Sequence, residues 1–157
     1  MDKISPCIWF DNQAEEAAKF YTSVFKDGKI DQITHYGEAG PGEQGSVMTV
    51  VFHLHGQEFM ALNGGPEYKL TPALSLMIYC QDQAEVDYFW ERLSEGGEKS
   101  VCGWLTDKYG LSWQVVPSLL IELQSSKDSR KKENMMRAML QMTKLDISEL
   151  KAAYERG

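Results

Sequence analysis

Asn12-Gln13-Ala14-Glu15 and Asp82-Gln83-Ala84-Glu85 are the two stretches that decide the fold, because each opens the same kind of helix seventy residues apart. The first is followed by apolar Ala17, Phe20, Tyr21 and Val24, the second by Val86, Phe89, Trp90 and Leu93. Both sets follow the i, i+3, i+4, i+7 spacing of a helix with one buried face. Both stretches pair a capping side chain, Asn12 or Asp82, with a Glu three residues later, the pattern that satisfies orphan amides at a helix start. Strand-like apolar runs precede them, Ile4 to Phe10 and Ala73 to Cys80. Two β-then-α units at one spacing read as a duplicated module, and duplicated modules usually enclose a site.

Working outward from the first helix, Lys29 to Tyr36 reads as a strand. Gly and Pro are too dense in the next segment, Gly37 to Gly45, for a regular element. Ser46 to Leu54 alternates, with Met48, Val50, Phe52 and Leu54 on one face and Val47, Thr49, Val51 and His53 on the other. His55-Gly56 then turns the chain into a returning strand, Glu58 to Asn63. The first module is therefore β-α-β-β-β over residues 1–66. The second, 73–117, repeats strand and helix, squeezes one strand into Lys99 to Val101, and ends in a hairpin of Cys102–Asp107 and Leu111–Val116. From Pro117 the pattern turns helical: Ser118 to Leu123, Asp128 to Met142, and Ile147 to Glu155 with Asp146 and Glu149 as a capping box. This extension, 118–157, is assigned to the same domain as 1–117 and is a candidate for subunit contacts or a lid. Met135, Met136, Met139, Leu140 and Met142 form its apolar stripe.

Composition narrows the functional classes. At 157 residues, 43% hydrophobic and 25% charged, the chain is an ordinary globular length and mix. A net charge of −7 argues against nucleic acid, whose phosphates are neutralised by Lys and Arg; the cluster Lys127, Arg130, Lys131, Lys132 reads as a solvated helix face. No apolar run approaches the roughly twenty residues of a membrane span, and no secretory signal pattern opens the chain. The expectation is a cytoplasmic protein. Cys7, Cys80 and Cys102 fit neither a disulfide framework nor a paired zinc site and read as reduced core thiols.

Several strings together carry a resemblance. Trp9-Phe10-Asp11-Asn12-Gln13-Ala14-Glu15-Glu16-Ala17, Tyr36-Gly37-Glu38 with its Gly-Pro-Gly loop, Ala61-Leu62-Asn63-Gly64-Gly65-Pro66, and Cys102-Gly103-Trp104-Leu105 through Gly110-Leu111-Ser112-Trp113-Gln114 resemble the PhnB-like subgroup of the vicinal oxygen chelate (glyoxalase/bleomycin resistance/dioxygenase) superfamily. That subgroup also carries the label 3-demethylubiquinone-9 3-methyltransferase-like. The resemblance implies an α+β fold in which two βαβββ-type modules, the second shortened, form a cupped mixed β-sheet with a cavity, in a homodimer. It also implies a divalent metal held by His, Glu, His and Glu near the first, fourth, fifth and eighth strands. Here those positions fall at Ser5 or Pro6, at Ala61 or Asn63, at Ser75 or Leu76, and at Gln114. None is a His or a carboxylate, and amide and hydroxyl oxygens alone suit zinc, iron or nickel poorly. No metal site and no cofactor are expected. The methyltransferase label meets a similar obstacle, since the first strand-to-helix turn, Asp11-Asn12-Gln13, lacks the glycines of a nucleotide-binding turn.

The remaining candidates follow from the repeat. An offset of seventy pairs Cys7 and Trp9 with Met77 and Tyr79, and Ser5 with Ser75, on the cavity side, leaving Ile8, Phe10, Leu76 and Ile78 to pack on helices. With Tyr36, Asn63, Trp104, Ser112 and Gln114 these make a largely apolar pocket with a few hydrogen-bonding groups, the usual composition of a small-molecule site; ordinary core packing is the competing reading. Replacing Asn63 or Gln114 by Leu is expected to abolish ligand-induced thermal stabilisation without loss of fold. Gly37 to Gly45 is read as a mobile lid. A spacing of two would set His53 and His55 on one strand face, at positions the fold does not use for ligands, but His55 beside Gly56 reads as a turn residue, and His35 reads as an edge-strand surface residue. The leading expectation is a small-molecule-binding protein without the usual catalytic metal. A metal-dependent lyase, isomerase or dioxygenase, and a sequestering resistance protein, remain the alternatives, and whether the protein is an enzyme stays open.

Overall fold

The structure is a computed structural model that describes residues 2–156. The chain divides between Leu70 and Thr71 into two compact units, the second of which holds the helical extension together with the second module.

In the first module, β1 (Cys7–Phe10), α1 (Ala14–Val24), β2 (Lys29–His35), β3 (Val47–Leu54) and β4 (Gln57–Asn63) follow in the expected order. The strands form one mixed sheet, β1-β4-β3-β2, in which β1 runs parallel to β4 and the other pairs are antiparallel. Strand alternation sends Ile8, Phe10, Val50, Phe52, Leu54, Phe59 and Ala61 to one face, where they are buried with Ala14, Ala17, Ala18, Tyr21 and Val24 of α1. Three alanines let the helix lie close to the sheet, and Phe52 stacks on Phe59 with ring centres 5.4 Å apart. Each large side chain buried this way contributes about 1.5–3 kcal/mol.

One local expectation is overturned here. Asn12 does not cap α1: the cap position is Gln13, and its side chain makes no capping bond. The free amide of Ala14 instead donates to Oδ1 of Asn63, 2.8 Å away at the end of β4.

The second module holds β5 (Ser75–Cys80), α2 (Gln83–Ser94), β6 (Glu98–Lys99), β7 (Trp104–Thr106) and β8 (Ser112–Pro117). Its mixed sheet has the order β5-β8-β7-β6, with β5 parallel to β8, so it repeats the first topology with β6 cut to two residues. Asp82 caps α2 as expected, accepting from the Glu85 amide at 2.9 Å, while Glu85 accepts from the amide of Gln81 at 3.3 Å. Cys80, Val86, Trp90, Leu93, Leu105, Trp113 and Val115 are buried. Asp107 builds the β7–β8 turn: it is 3% exposed, Oδ1 accepts from the amides of Tyr109 and Leu111 at 2.8 and 3.1 Å, and Oδ2 accepts from Trp113 Nε1 at 2.9 Å.

The extension forms α3 (Ser118–Gln124), α4 (Ser129–Met139) and α5 (Ile147–Glu155), with α4 ending three residues earlier than the periodicity predicts. Leu120, Met135, Met142, Leu145 and Leu150 form a buried cluster with Val116 of β8, whereas Met136 and Leu140 face outward, so the methionine stripe splits between core and surface. Amides of Cys102 and Gly103 donate to the carbonyls of Met142 and Thr143, both at 2.8 Å. Gln83 donates to the Leu145 carbonyl at 3.1 Å and accepts from the Ile147 amide at 2.8 Å, and Lys144 pairs with Asp87 at 2.9 Å. The extension is thus built into the second module. Among the described residues, no helix is long and apolar enough to cross a membrane.

Candidate functional site

Each sheet has one face covered by its helix and one face without a helix of its own module, and the sequence candidates divide between the modules accordingly. In the first, burial of Ile8 and Phe10 against α1 turns Cys7 and Trp9 to the other face. Trp9 is half-buried; its Nε1 donates to the Gly65 carbonyl at 2.9 Å, and Tyr68 meets its ring edge-on at 4.9 Å. Gly64 lies flat against that ring, where any Cβ would overlap it.

Tyr36 and Asn63 meet beside this turn. The Tyr36 hydroxyl donates to the Asn63 carbonyl, and Asn63 Nδ2 donates to the Val47 carbonyl at 3.1 Å. With the bond from Ala14, the carbonyl and the amide of the Asn63 side chain each hold a backbone group. The expectation that Asn63 can become Leu without loss of fold is therefore revised: the residue locks α1, β3 and the loop after β2 together. A cleft of about 410 Å³ opens at this junction, lined by Asp11, Asn12, Glu15, Tyr36, Ser46 and Asn63 among others. The Gly-rich segment reaches this cleft, whose lining includes Pro41, Gly42 and Glu43. Amide–carbonyl bonds of 2.8 Å from Gly45 to Tyr36 and from Tyr36 to Ser46 close the loop at its base. Gly42 packs on the Tyr36 ring, leaving no room for a Cβ.

In the second module the strand register places Ser75, Met77, Tyr79, Trp104, Ser112 and Gln114 on a single face, opposite Leu105, Trp113 and Val115. Ser75 lies beside Ser112, Met77 beside Gln114, and Trp104 beside Gln114. Gln114 Nε2 donates to Ser75 Oγ at 3.0 Å, and the Tyr79 hydroxyl donates to Met77 Sδ at 3.5 Å. Met77 and Tyr79 are exposed, Trp104 and Gln114 half-buried, and Ser112 buried. The sequence reading missed Thr106, which lies across from Ser112 on this face. Its signal was the hairpin itself, because a turn over 108–110 pairs 106 with 112.

Histidines and cysteines take other places. His55 is the turn residue that its place beside Gly56 implies, with φ +49°, and it shares no strand face with His53. His53 bonds through Nδ1 to Asp31 instead, and His35 is exposed at the end of edge strand β2. Of the cysteines only Cys80 is a core thiol, pushed up to about 12 mainly by burial. Cys7 is exposed and Cys102 half-buried, against the expectation that all three lie in the core.

Most of the positions where the resemblance implies a metal have other uses. Ala61 is buried and has no donor atom, Asn63 is committed to backbone, and Ser75 and Gln114 bond to each other. Among the described residues no three His, Cys, Asp or Glu side chains converge. Amide and hydroxyl oxygens such as these are poor ligands for a transition metal.

The family described as 3-demethylubiquinone-9 3-methyltransferase matches residues 2–116. A PhnB protein from Bacillus cereus is 38% identical, over 74% of this chain and 99% of that one, with a TM-score of 0.68. Protein PA1353 from Pseudomonas aeruginosa, 21% identical over 74% and 98% with a TM-score of 0.64, shares the fold. So does the fosfomycin resistance protein FosX from Listeria monocytogenes, complexed with Mn(II) and sulfate, at 14% identity over 73% and 92% and a TM-score of 0.53. A search of curated proteins returned no match.

Proposed function

Because this chain belongs to the 3-demethylubiquinone-9 3-methyltransferase-like, PhnB-type family of the vicinal oxygen chelate superfamily, we propose that it binds a small organic molecule against the helix-free sheet faces without a catalytic divalent metal. The observation that carries this reading is the bond between Gln114 and Ser75. At two of the four positions where the superfamily holds its metal, this chain sets a neutral donor–acceptor pair beside the aromatic and thioether groups of Trp104, Met77 and Tyr79. Hydrogen-bonding groups on an apolar wall are how proteins orient small organic ligands. Trp9 and Cys7 present the equivalent face of the first module, and Tyr36 and Asn63 shape its edge. The turn Asp11-Asn12-Gln13 has no glycine to admit a cofactor's phosphates, so methyl transfer from a nucleotide-like donor forms no part of the reading.

The protein is taken to act as a homodimer in the cytoplasm. Light scattering should then give twice the chain mass of 17.8 kDa, and cell fractionation should find it in the soluble cytosol. The decisive experiment is a thermal-shift screen of metabolites on chelator-washed protein, with elemental analysis of the same sample. Ligand stabilisation without metal is expected. A stoichiometric transition metal that survives washing and is required for stabilisation overturns the metal-free reading. Mass spectrometry of any ligand recovered separates turnover from sequestration.

A further inference from the structure

Ser112 opens β8 and is 1% exposed. Its hydroxyl is the one buried side-chain oxygen or nitrogen among the described residues that has no hydrogen-bond partner. Leaving a buried hydroxyl unpaired costs about 1–3 kcal/mol, and native folds keep few such groups. Several other hydroxyls are paired: Thr34 with Thr49 at 2.5 Å, Ser118 with the Cys80 carbonyl at 3.1 Å, Tyr154 with Ser126 at 2.7 Å. The exception stands on the face described above.

Its surroundings define what it can bind. Ser75 flanks it on one side and Thr106 on the other, with Gln114 two residues along the same strand. None of these four carries a charge. Asp107, the nearest carboxylate in sequence, is engaged on the turn and with Trp113 on the opposite face. Gln114 spends one N–H on Ser75, which leaves its other N–H and its carbonyl oxygen for a ligand. Ser75, accepting that bond, keeps its own proton to donate. An ion brought here would lose its hydration with no counter-charge in return. A neutral oxygen would instead gain donors.

We propose that Ser112, with Ser75, Thr106 and Gln114, forms a subsite for an uncharged oxygen-bearing group of the ligand, a carbonyl, carboxamide or hydroxyl that accepts the Ser112 proton. The assignment rests on the proposed small-molecule binding and names the ligand chemistry of that site. No covalent bond is made or broken; the subsite selects and orients.

Two measurements test it. Ser112→Ala removes the unpaired hydroxyl, so the ligand-free variant should melt at or above the wild-type temperature. A fall of several degrees, or failure to fold, gives the hydroxyl a structural role and overturns the proposal. The second uses four probes of similar shape and different head group: benzamide, acetophenone, benzoate and benzylamine, titrated against labelled protein by NMR. Benzamide and acetophenone should bind wild type, and Ser112→Ala should weaken both about tenfold, the size of one hydrogen bond. Equal affinity for the variant, or preference for benzoate or benzylamine, overturns it. If all four probes fail while a compound from the metabolite screen binds, the subsite is wrong and the binding function stands. If nothing from either set binds, the function itself falls, and the subsite with it.

Discussion

In the second module the first turn of α2 is capped by its own sequence, Asp82 accepting from Glu85. In the first module the corresponding Asn12 is exposed, and the first amide of α1 is met by Asn63 from the end of the neighbouring strand β4. The strand ends explain the difference. Asn63 lies opposite Phe10 on the parallel pair β1–β4, and the matching residue opposite Cys80 on β5–β8 is Pro117. Where the first module continues into the Gly64-Gly65 turn, the second continues into α3. Even the next bond is conserved in place but changed in kind: the Gly64 amide donates to Phe10, whereas Ser118 donates to Cys80 through its hydroxyl. Proline cannot reach across to cap a helix, so α2 must cap itself. A duplicated topology thus keeps the geometry and reassigns the bonds.

The sharpest way to break this comparison is Asn63→Leu. It strands the Ala14 amide and the Val47 carbonyl together, at about 1–3 kcal/mol each, so a loss of about 3 kcal/mol in urea unfolding is expected. A loss under about 1 kcal/mol would mean that Asn63 does not organise the first module. Gly64→Ala comes next. A methyl group against the Trp9 ring must displace the indole or the turn, costing about 2 kcal/mol, with a change in Trp fluorescence as an independent sign. Asp82→Ala is smaller, about 1 kcal/mol, because it removes one exposed, local cap. If it proves as costly as Asn63→Leu, the distinction between long-range and local capping is lost.

Element order was open to sequence reading because it is written in short-range signals: two helix periodicities, alternation over Ser46 to Leu54, glycine at the turns. The face assignments on both sheets followed from the same alternation, which is why Ser75, Met77, Tyr79 and Gln114 could be grouped before any coordinates. What sequence could not supply was the partner of each polar group. Asn12 and Asn63 are both plausible caps by type, and only the parallel pairing of β1 with β4 brings the second within reach of Ala14. Ser112 could be grouped with the pocket residues by sequence, but only the strand register sets it between Ser75 and Thr106, and only its surroundings leave its hydroxyl unpaired. The turn at His55 was legible too, from Gly56 beside it, and the φ of +49° at His55 takes it off the strand before the alternation can pair it with His53.

The smallest expected effect compares the acid responses of the two modules. In the first, the hydrogen bond from His53, reinforced by charge attraction to His53 and Lys29, holds the Asp31 carboxyl below the usual carboxylate range. In the second, hydrogen bonds from Gln83 and Lys144 do the same for Asp87. A carboxylate whose folded-state value is depressed stabilises the fold above its unfolded pKa, about 3.9, and that stabilisation is lost as pH falls through the lower folded value. Asp31→Asn and Asp87→Asn should therefore each unfold at lower urea than wild type at pH 7 and approach it between about pH 4 and pH 2. Both groups face solvent, so the gaps should be modest and shrink in salt. The informative contrast is which gap is larger. Asp87 also fixes Lys144 in the segment that the Cys102 and Gly103 amides hold, so its loss loosens the extension as well as a charge pair. Asp31 ties only edge strand β2 to β3. A gap for Asp31→Asn that equals or exceeds that for Asp87→Asn would show that the extension draws no stability from this clasp.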